Sequence, residues 1–126
     1  MPTRTTKATA EALLAHCRAG TERSALETLY HPDAVSVEAA AMPGSGSAET
    51  RGLTGIEGKH DWWESTMQVH EITVEGPYYH GTDRFAATFR FDLTDRHSGV
   101  RRVMREVAVY TVDPEGRVVR EEFFSA

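Results

Sequence analysis

Cysteine is almost missing from this chain: Cys17 is the one thiol in 126 residues. No internal disulfide can form, and a reducing cytoplasm is the expected compartment. Positive charge is also short. Fourteen Lys and Arg stand against nineteen Asp and Glu, for a net charge of −5. The arginines are spread along the chain, so the basic face that nucleic-acid binding needs is not expected. No apolar run approaches the ~20 residues of a membrane span. Met1-Pro-Thr-Arg-Thr-Thr-Lys7 has no apolar segment behind it and does not read as a signal peptide. Metal signatures are missing too: the six histidines are scattered, with no H-x-x-x-H. There is no Gly-x-Gly-x-x-Gly and no P-loop, and no helix directly follows Gly44-Ser-Gly-Ser to make it a phosphate cradle. Neither a metal nor another cofactor is expected.

What is present reads as one globular domain over residues 1–126, with 1–7 as a disordered tail. Ala10, Leu13, Leu14 and Cys17 carry helical spacing from about Thr9 to Ala19, closed by Gly20. Cys17 is therefore expected in the core and not as a nucleophile. Thr21 can cap a second helix that stops at His31-Pro32. Val35-Ser-Val-Glu-Ala39 reads as a short strand, and residues 41–50 as a flexible loop that could serve as a lid. Thr54-Gly-Ile-Glu57 matches a capping box and opens a third helix to about Ser65. That helix carries His60, Trp62 and Trp63.

Strands follow. Gln68, His70, Ile72 and Val74 share one face of a strand that Gly76-Pro77 is expected to break. Phe85, Ala87, Phe89, Phe91 and Leu93 alternate inward on the next. The last quarter is a β-hairpin turned by Asp113-Pro-Glu-Gly116, where Pro presets φ and Gly takes the left-handed position. Met104, Glu106, Ala108, Tyr110 and Val112 share one face of its first strand; Val103, Arg105, Val107, Val109 and Thr111 share the other. Both faces are largely apolar. One is expected to line a cavity and the other to pack on a second copy of the chain. The predicted class is α+β: three N-terminal helices packed in a strongly curved, mixed but mostly antiparallel sheet, a cone with an open mouth for a small ligand.

Four stretches carry a resemblance: Leu29-Tyr-His-Pro-Asp-Ala-Val-Ser-Val-Glu38, Gly55 to Trp63, Val74-Glu-Gly-Pro77, and Met104-x-Glu106-x-x-x-Tyr110 running into Val118-Val-Arg-Glu-Glu-Phe-Phe124. Together they resemble the nuclear transport factor 2-like (cystatin-like) fold shared by ketosteroid isomerase and the SnoaL-like polyketide cyclases. The likeness is nearest to the small stand-alone SnoaL-like proteins. The resemblance specifies a fold more than a reaction, because this fold hosts isomerases, dehydratases, cyclases, epoxide hydrolases and non-enzymes. Ketosteroid isomerase's catalytic Tyr would fall at Leu13, its general base at or near Ala39 with Glu38 beside it, and its oxyanion Asp at Ala108. All three are missing, so that constellation is excluded. Its aromatic pocket residue would fall at Trp63. The same correspondence points Met104, Glu106, Ala108 and Tyr110 inward, with Glu121, Phe123 and Ser125 on the last strand. A bulge at Gly116 would exchange Glu121 for Glu122.

Glu106 is the odd residue, a carboxylate on an apolar face. Burial without a cation would raise its pKa and suit it to general acid or base work. A structural ion pair with Lys59 or His70 is the competing reading. His70 could face Glu106 as an acid/base partner, and Tyr110 could donate to a ligand oxygen. Trp62, Trp63, His60, Glu38, Met104, Glu121 and Phe123 are the remaining candidate ligand contacts. Three functions stay open: cofactor-independent proton transfer on a small apolar or polyketide-like molecule, non-catalytic binding of such a molecule, and a homodimeric interaction module.

Overall fold

The computed structural model describes residues 3–42 and 46–126. The elements are α1 (Thr6–Ala19), α2 (Glu22–Leu29), β1 (Tyr30–Val37), β2 (Glu49–Arg51), α3 (Gly52–Thr66), β3 (Met67–His80), β4 (Arg84–Asp95), β5 (Arg101–Val112) and β6 (Val118–Ser125). The six strands form one open sheet in the order β2-β1-β6-β5-β4-β3. Every pairing is antiparallel except β1 with β6, which is parallel. This is the mixed α+β cone that the sequence predicts. No helix among the described residues is long and apolar enough to cross a membrane.

The helices cover one face of the sheet. Leu13, Leu14 and Cys17 of α1 and Ala25, Leu26 and Leu29 of α2 are buried with Phe85, Ala87, Phe89, Ala108, Tyr110, Val112 and Val118 of the sheet. Inward alternation on β4 is as expected from its pattern, with Phe85, Ala87, Phe89 and Leu93 buried. Ala87 stands opposite Ala108 in the β4–β5 register. Two such small neighbours leave room above the middle of the sheet for the leucines of α1.

The hairpin turn forms as its residues dictate. The Gly116 amide donates to the Asp113 carbonyl at 2.9 Å, and Gly116 adopts φ +84°, open to Gly without steric cost. The turn is clamped from the other end of the chain: the Arg4 amide donates to the Glu115 carbonyl, and the Thr9 hydroxyl to the Gly116 carbonyl at 2.6 Å.

Several boundaries differ from expectation. α1 starts at Thr6, inside the segment read as a tail, because the Thr5 side chain caps it by accepting from the Ala8 amide. Met1 and Pro2 lie outside the described residues. Thr21 stands at the start of α2 but makes no side-chain cap; its hydroxyl instead bonds His16 Nδ1 at 2.8 Å. β1 begins at Tyr30, directly after α2, and runs through His31-Pro32. α3 begins at Gly52, not at the Thr54 capping box; β2 feeds straight into it and Gly52, at φ +80°, makes the reversal. β3 continues past Gly76-Pro77, a cis peptide at a bulge, and pairing resumes at Tyr78 opposite Ala86. The stretch read as a lid closes back on itself, with Glu38 amide to Ala48 carbonyl and Met42 amide to Ser47 carbonyl; its centre, Pro43-Gly44-Ser45, lies outside the described residues.

Candidate functional site

Between the helices and the inner face of the sheet lies a cavity of about 410 Å³, within the usual range for a small-molecule site. Its deep end is walled by the buried Leu13, Cys17, Leu26, Tyr30 and Tyr110, and its mouth by the exposed Trp62, Phe124, Arg102 and Arg105. Strand alternation carries Met104, Glu106 and Tyr110 into it from β5, and Glu121 and Phe123 from β6. Glu121 is 6% exposed, while Glu122 pairs with Arg120 at 3.1 Å. The face of β6 is thereby settled in favour of Glu121. From α3 come Lys59, His60, Trp62 and Trp63, and from the end of β1 Glu38. Trp63 packs edge-on against Phe91, with ring centroids 5.4 Å apart; Trp62 sits at the rim, 36% exposed.

A polar chain crosses this apolar space. Lys59 Nζ donates to Glu38 at 2.5 Å and to Ser36 Oγ at 2.6 Å. Ser36 in turn donates to Glu121 Oε2 at 2.6 Å, and the Tyr30 hydroxyl donates to Oε1 of the same carboxylate. Burial pushes the Tyr30 phenol well above its ordinary value, and the Glu121 charge adds to this, so it remains a donor. The parallel pairing of β1 with β6, which sets Ser36 beside Glu121, makes the chain possible. Lys59 also lies 5.4 Å from the centre of the Phe123 ring, a cation–π contact.

Glu106 stands apart from that chain. It makes no hydrogen bond or ion pair with the described residues, and the Lys59 that could have neutralised it is bound to Glu38. Burial pushes its carboxyl up from 4.5 to about 7; the Glu38 and Glu121 charges add to the rise and Lys59 opposes it. The structural ion pair is therefore not formed. A carboxyl half-ionised near neutral pH and open to a cavity can take or give a proton there. Tyr110, stacked on Phe85 at 4.9 Å, also keeps its hydroxyl without a protein partner. Burial holds its phenol well above the ordinary value, with Cys17, Glu121, Glu106 and Glu22 adding to this. It is a donor on the same wall as Glu106. Cys17 is pushed up to about 12, chiefly by burial, and stays a thiol.

His70 does not join the site. A bulge between Val69 and Glu71 inserts it as the extra residue of β3. The parity that would have aligned it with Ile72 and Val74 is lost. It faces outward, with Nε2 2.7 Å from the Thr94 hydroxyl, and the His70–Glu106 pair is not formed. Three contributors had no local signal. Tyr30 and Ser36 are ordinary strand residues whose importance comes from β6. Glu22, on the first turn of α2, lines the cavity through an arrangement of helices that spacing cannot show. Lys59 was legible only as a partner for Glu106, whereas it takes Glu38. Among the described residues no group of His, Cys, Asp and Glu is placed to hold a metal.

The family model described as the SnoaL-like domain matches residues 10–121. No curated protein matches the chain. Among solved structures, a protein from Mesorhizobium loti provisionally assigned as a SnoaL-like polyketide cyclase is 34% identical; the match covers 96% of this chain and 99% of that one, with a TM-score of 0.87. An NTF2-like protein from Burkholderia thailandensis is 19% identical over 98% of this chain and 92% of that one, at TM-score 0.81. A protein from Catenulispora acidiphila with a ketosteroid isomerase-like fold, in complex with trimethylamine, is 18% identical over 94% and 85%, at TM-score 0.71. The last two share the fold.

Proposed function

The chain belongs to the SnoaL-like domain family, and from that premise we propose that its cavity binds a small, largely apolar molecule and moves a proton on it without a cofactor, with Glu106 as the base. The supporting observation is the state of Glu106: an unpaired carboxyl in an apolar cavity, pushed up to about 7. Every other carboxylate of the β1–β6 wall is bonded. Glu38 holds Lys59, and Glu121 accepts from Tyr30 and Ser36. In this reading the Glu106 carboxylate takes a proton from a carbon beside a carbonyl. The Tyr110 hydroxyl donates to a second ligand oxygen, conjugated through the ring to the carbon that loses the proton, which takes up charge as the proton leaves. The two residues stand about 13 Å apart along β5 at roughly 3.3 Å per residue, so their side chains meet only across a ligand of several ring atoms. Trp63, Phe91, Met104 and Phe123 supply the apolar walls, and His60 and Trp62 the rim. The chemistry is of the isomerase, cyclase or dehydratase kind, and the matched polyketide cyclase assignment favours an aromatic or polyketide-like substrate.

Deuterium uptake from D₂O into the α-carbons of a panel of aromatic ketones and β-keto esters, read by mass spectrometry, tests this directly. Uptake should rise with pH through about 7, because the base works ionised, and fall about 10²-fold or more in Glu106→Gln. Uptake equal in the two proteins would leave a non-catalytic binding protein as the better reading. We assign the outer face of β5, with Val103, Val107 and Val109, to a second copy of the chain in a cytoplasmic homodimer. The exposed Val103 and Phe124 there extend an apolar strip. A monomeric mass at micromolar concentration would refute the dimer.

A further inference from the structure

The β4–β5 register sets Phe89 directly opposite Glu106 and Phe91 opposite Met104. The β5–β6 register sets Phe123 opposite Ala108. Side chains directly or diagonally across neighbouring strands interact on their shared face. On the inner face Glu106 therefore has Phe89 beside it, with Phe91 and Phe123 on the diagonals. All three rings line the cavity, as does Trp63, which packs edge-on against Phe91. Phe89 and Phe91 stand nearly parallel, with centroids 6.0 Å apart. Ring faces attract cations, and Lys59 Nζ already lies over Phe123. Glu106 is only partly buried, lines the same cavity and has no bond to the described residues. The charges around it do not balance. Glu38 of β1 is cancelled by Lys59 of α3, whereas Glu121 of β6 accepts from the neutral Tyr30 and Ser36 hydroxyls. Cys17 on α1, Glu22 on α2, His60 on α3 and Tyr110 on β5 complete the titratable lining, and Arg102 and Arg105 stand exposed at the mouth. With Glu106 ionised, the interior holds more negative charge than its one lysine offsets.

Resting on the reading that the cavity holds a ligand, we infer that it also takes an apolar ring system carrying a protonated amine, whose ammonium pairs with the Glu106 carboxylate among Phe89, Phe91 and Phe123. Glu106 has already lost much of its water on folding, so the ammonium is the main group left to desolvate when the two meet. The surrounding ring faces replace part of that lost hydration. A neutral molecule of the same shape gains the apolar walls but not the charge. An ammonium there stands where the proton accepted by Glu106 would go. Amines of this class are therefore competitive inhibitors of the proton transfer proposed above.

The test uses two probes of one skeleton, 2-naphthylmethylamine and 2-naphthalenemethanol, which differ in charge and little in size. Binding is measured by titration calorimetry in the wild type and Glu106→Gln. At pH 8 the wild type should bind the amine about tenfold tighter than the alcohol or more, the worth of a charged hydrogen bond. Glu106→Gln should bring that ratio close to one while keeping its affinity for the alcohol. In the wild type at pH 5.5, where Glu106 holds its proton, the ratio should also approach one. Because the ammonium favours the ionised carboxyl, saturating amine should lower the ¹³C titration midpoint of Glu106 by about one pH unit or more, and the alcohol should leave it in place. That readout does not depend on a variant folding. Equal binding of the two probes at pH 8, a preference that survives Glu106→Gln, or an unmoved Glu106 midpoint overturns the ammonium site while leaving the cavity a ligand site. Binding of neither probe overturns the ammonium site together with the ligand-binding reading, and deuterium uptake then judges Glu106 separately.

Discussion

Replacing Glu106 by Gln should make this protein more stable at pH 8 and leave it unchanged at pH 4.5. The folded state raises the Glu106 carboxyl from 4.5 to about 7. Between those values the folded chain holds a proton that the unfolded chain has lost, so stability falls as pH rises through this window. Above about 7 both states are ionised and the full penalty remains. Each tenfold change in proton affinity is worth about 1.4 kcal/mol, so the penalty is about 3 kcal/mol, or about 2 kcal/mol once solvent around the half-buried group is allowed for. Gln has the shape of the protonated acid and carries no charge, so it escapes that cost at every pH. Urea unfolding of both proteins at pH 4.5, 6, 7 and 8, followed by tryptophan fluorescence, isolates the difference, since all other titrating groups are shared. The Gln variant should gain about 2–3 kcal/mol at pH 8, about half of that or a little more at pH 6, and nothing measurable at pH 4.5, with an unchanged denaturant slope. A difference that is flat with pH, or a Gln variant less stable at pH 8, would mean that Glu106 is paired in solution. The assignment of Glu106 as a free base would then fail.

Other outcomes follow from the same geometry. Glu121→Leu takes the acceptor away from the Tyr30 and Ser36 hydroxyls, and should cost about 2–4 kcal/mol by urea unfolding; Glu121→Gln, which can still accept, should cost visibly less. Gly116→Ala sets a β-carbon 2.3 Å from the Arg4 carbonyl oxygen at φ +84°, and should destabilise by about 2 kcal/mol or more. In the same variant, amide exchange at Arg4 should accelerate, because the clamp of the N-terminal segment onto Glu115 opens first. Cys17, buried and pushed up to about 12, should react with a disulfide reagent at pH 8 only as fast as the protein opens; reaction at the rate of a free thiol would contradict its place in the core.

Much of this molecule is written locally. Alternation along residues 84–95 and 101–112 identifies the inner face of the sheet before any fold is known, because side chains on a strand must point to opposite sides. The Asp-Pro-Glu-Gly turn announces its own φ values. These two facts already place Met104, Glu106 and Tyr110 on one wall, and the family's motifs agree. Partnership between distant residues was decided elsewhere. Lys59 could have reached Glu106 by sequence reasoning alone; it binds Glu38 and Ser36 because α3 packs on β1. Tyr30, Ser36 and Glu121 meet only because β1 runs parallel to β6, a pairing across more than half the chain that no short-range pattern encodes. His70 was lost to a single inserted residue. A bulge changes parity by one and turns a side chain from the cavity to the opposite face, and its position depends on the register that β3 must keep with β4. Periodicity thus determined which faces are inside, whereas the tertiary fold determined which charges are satisfied, and so left Glu106 as the cavity carboxyl free to take a proton.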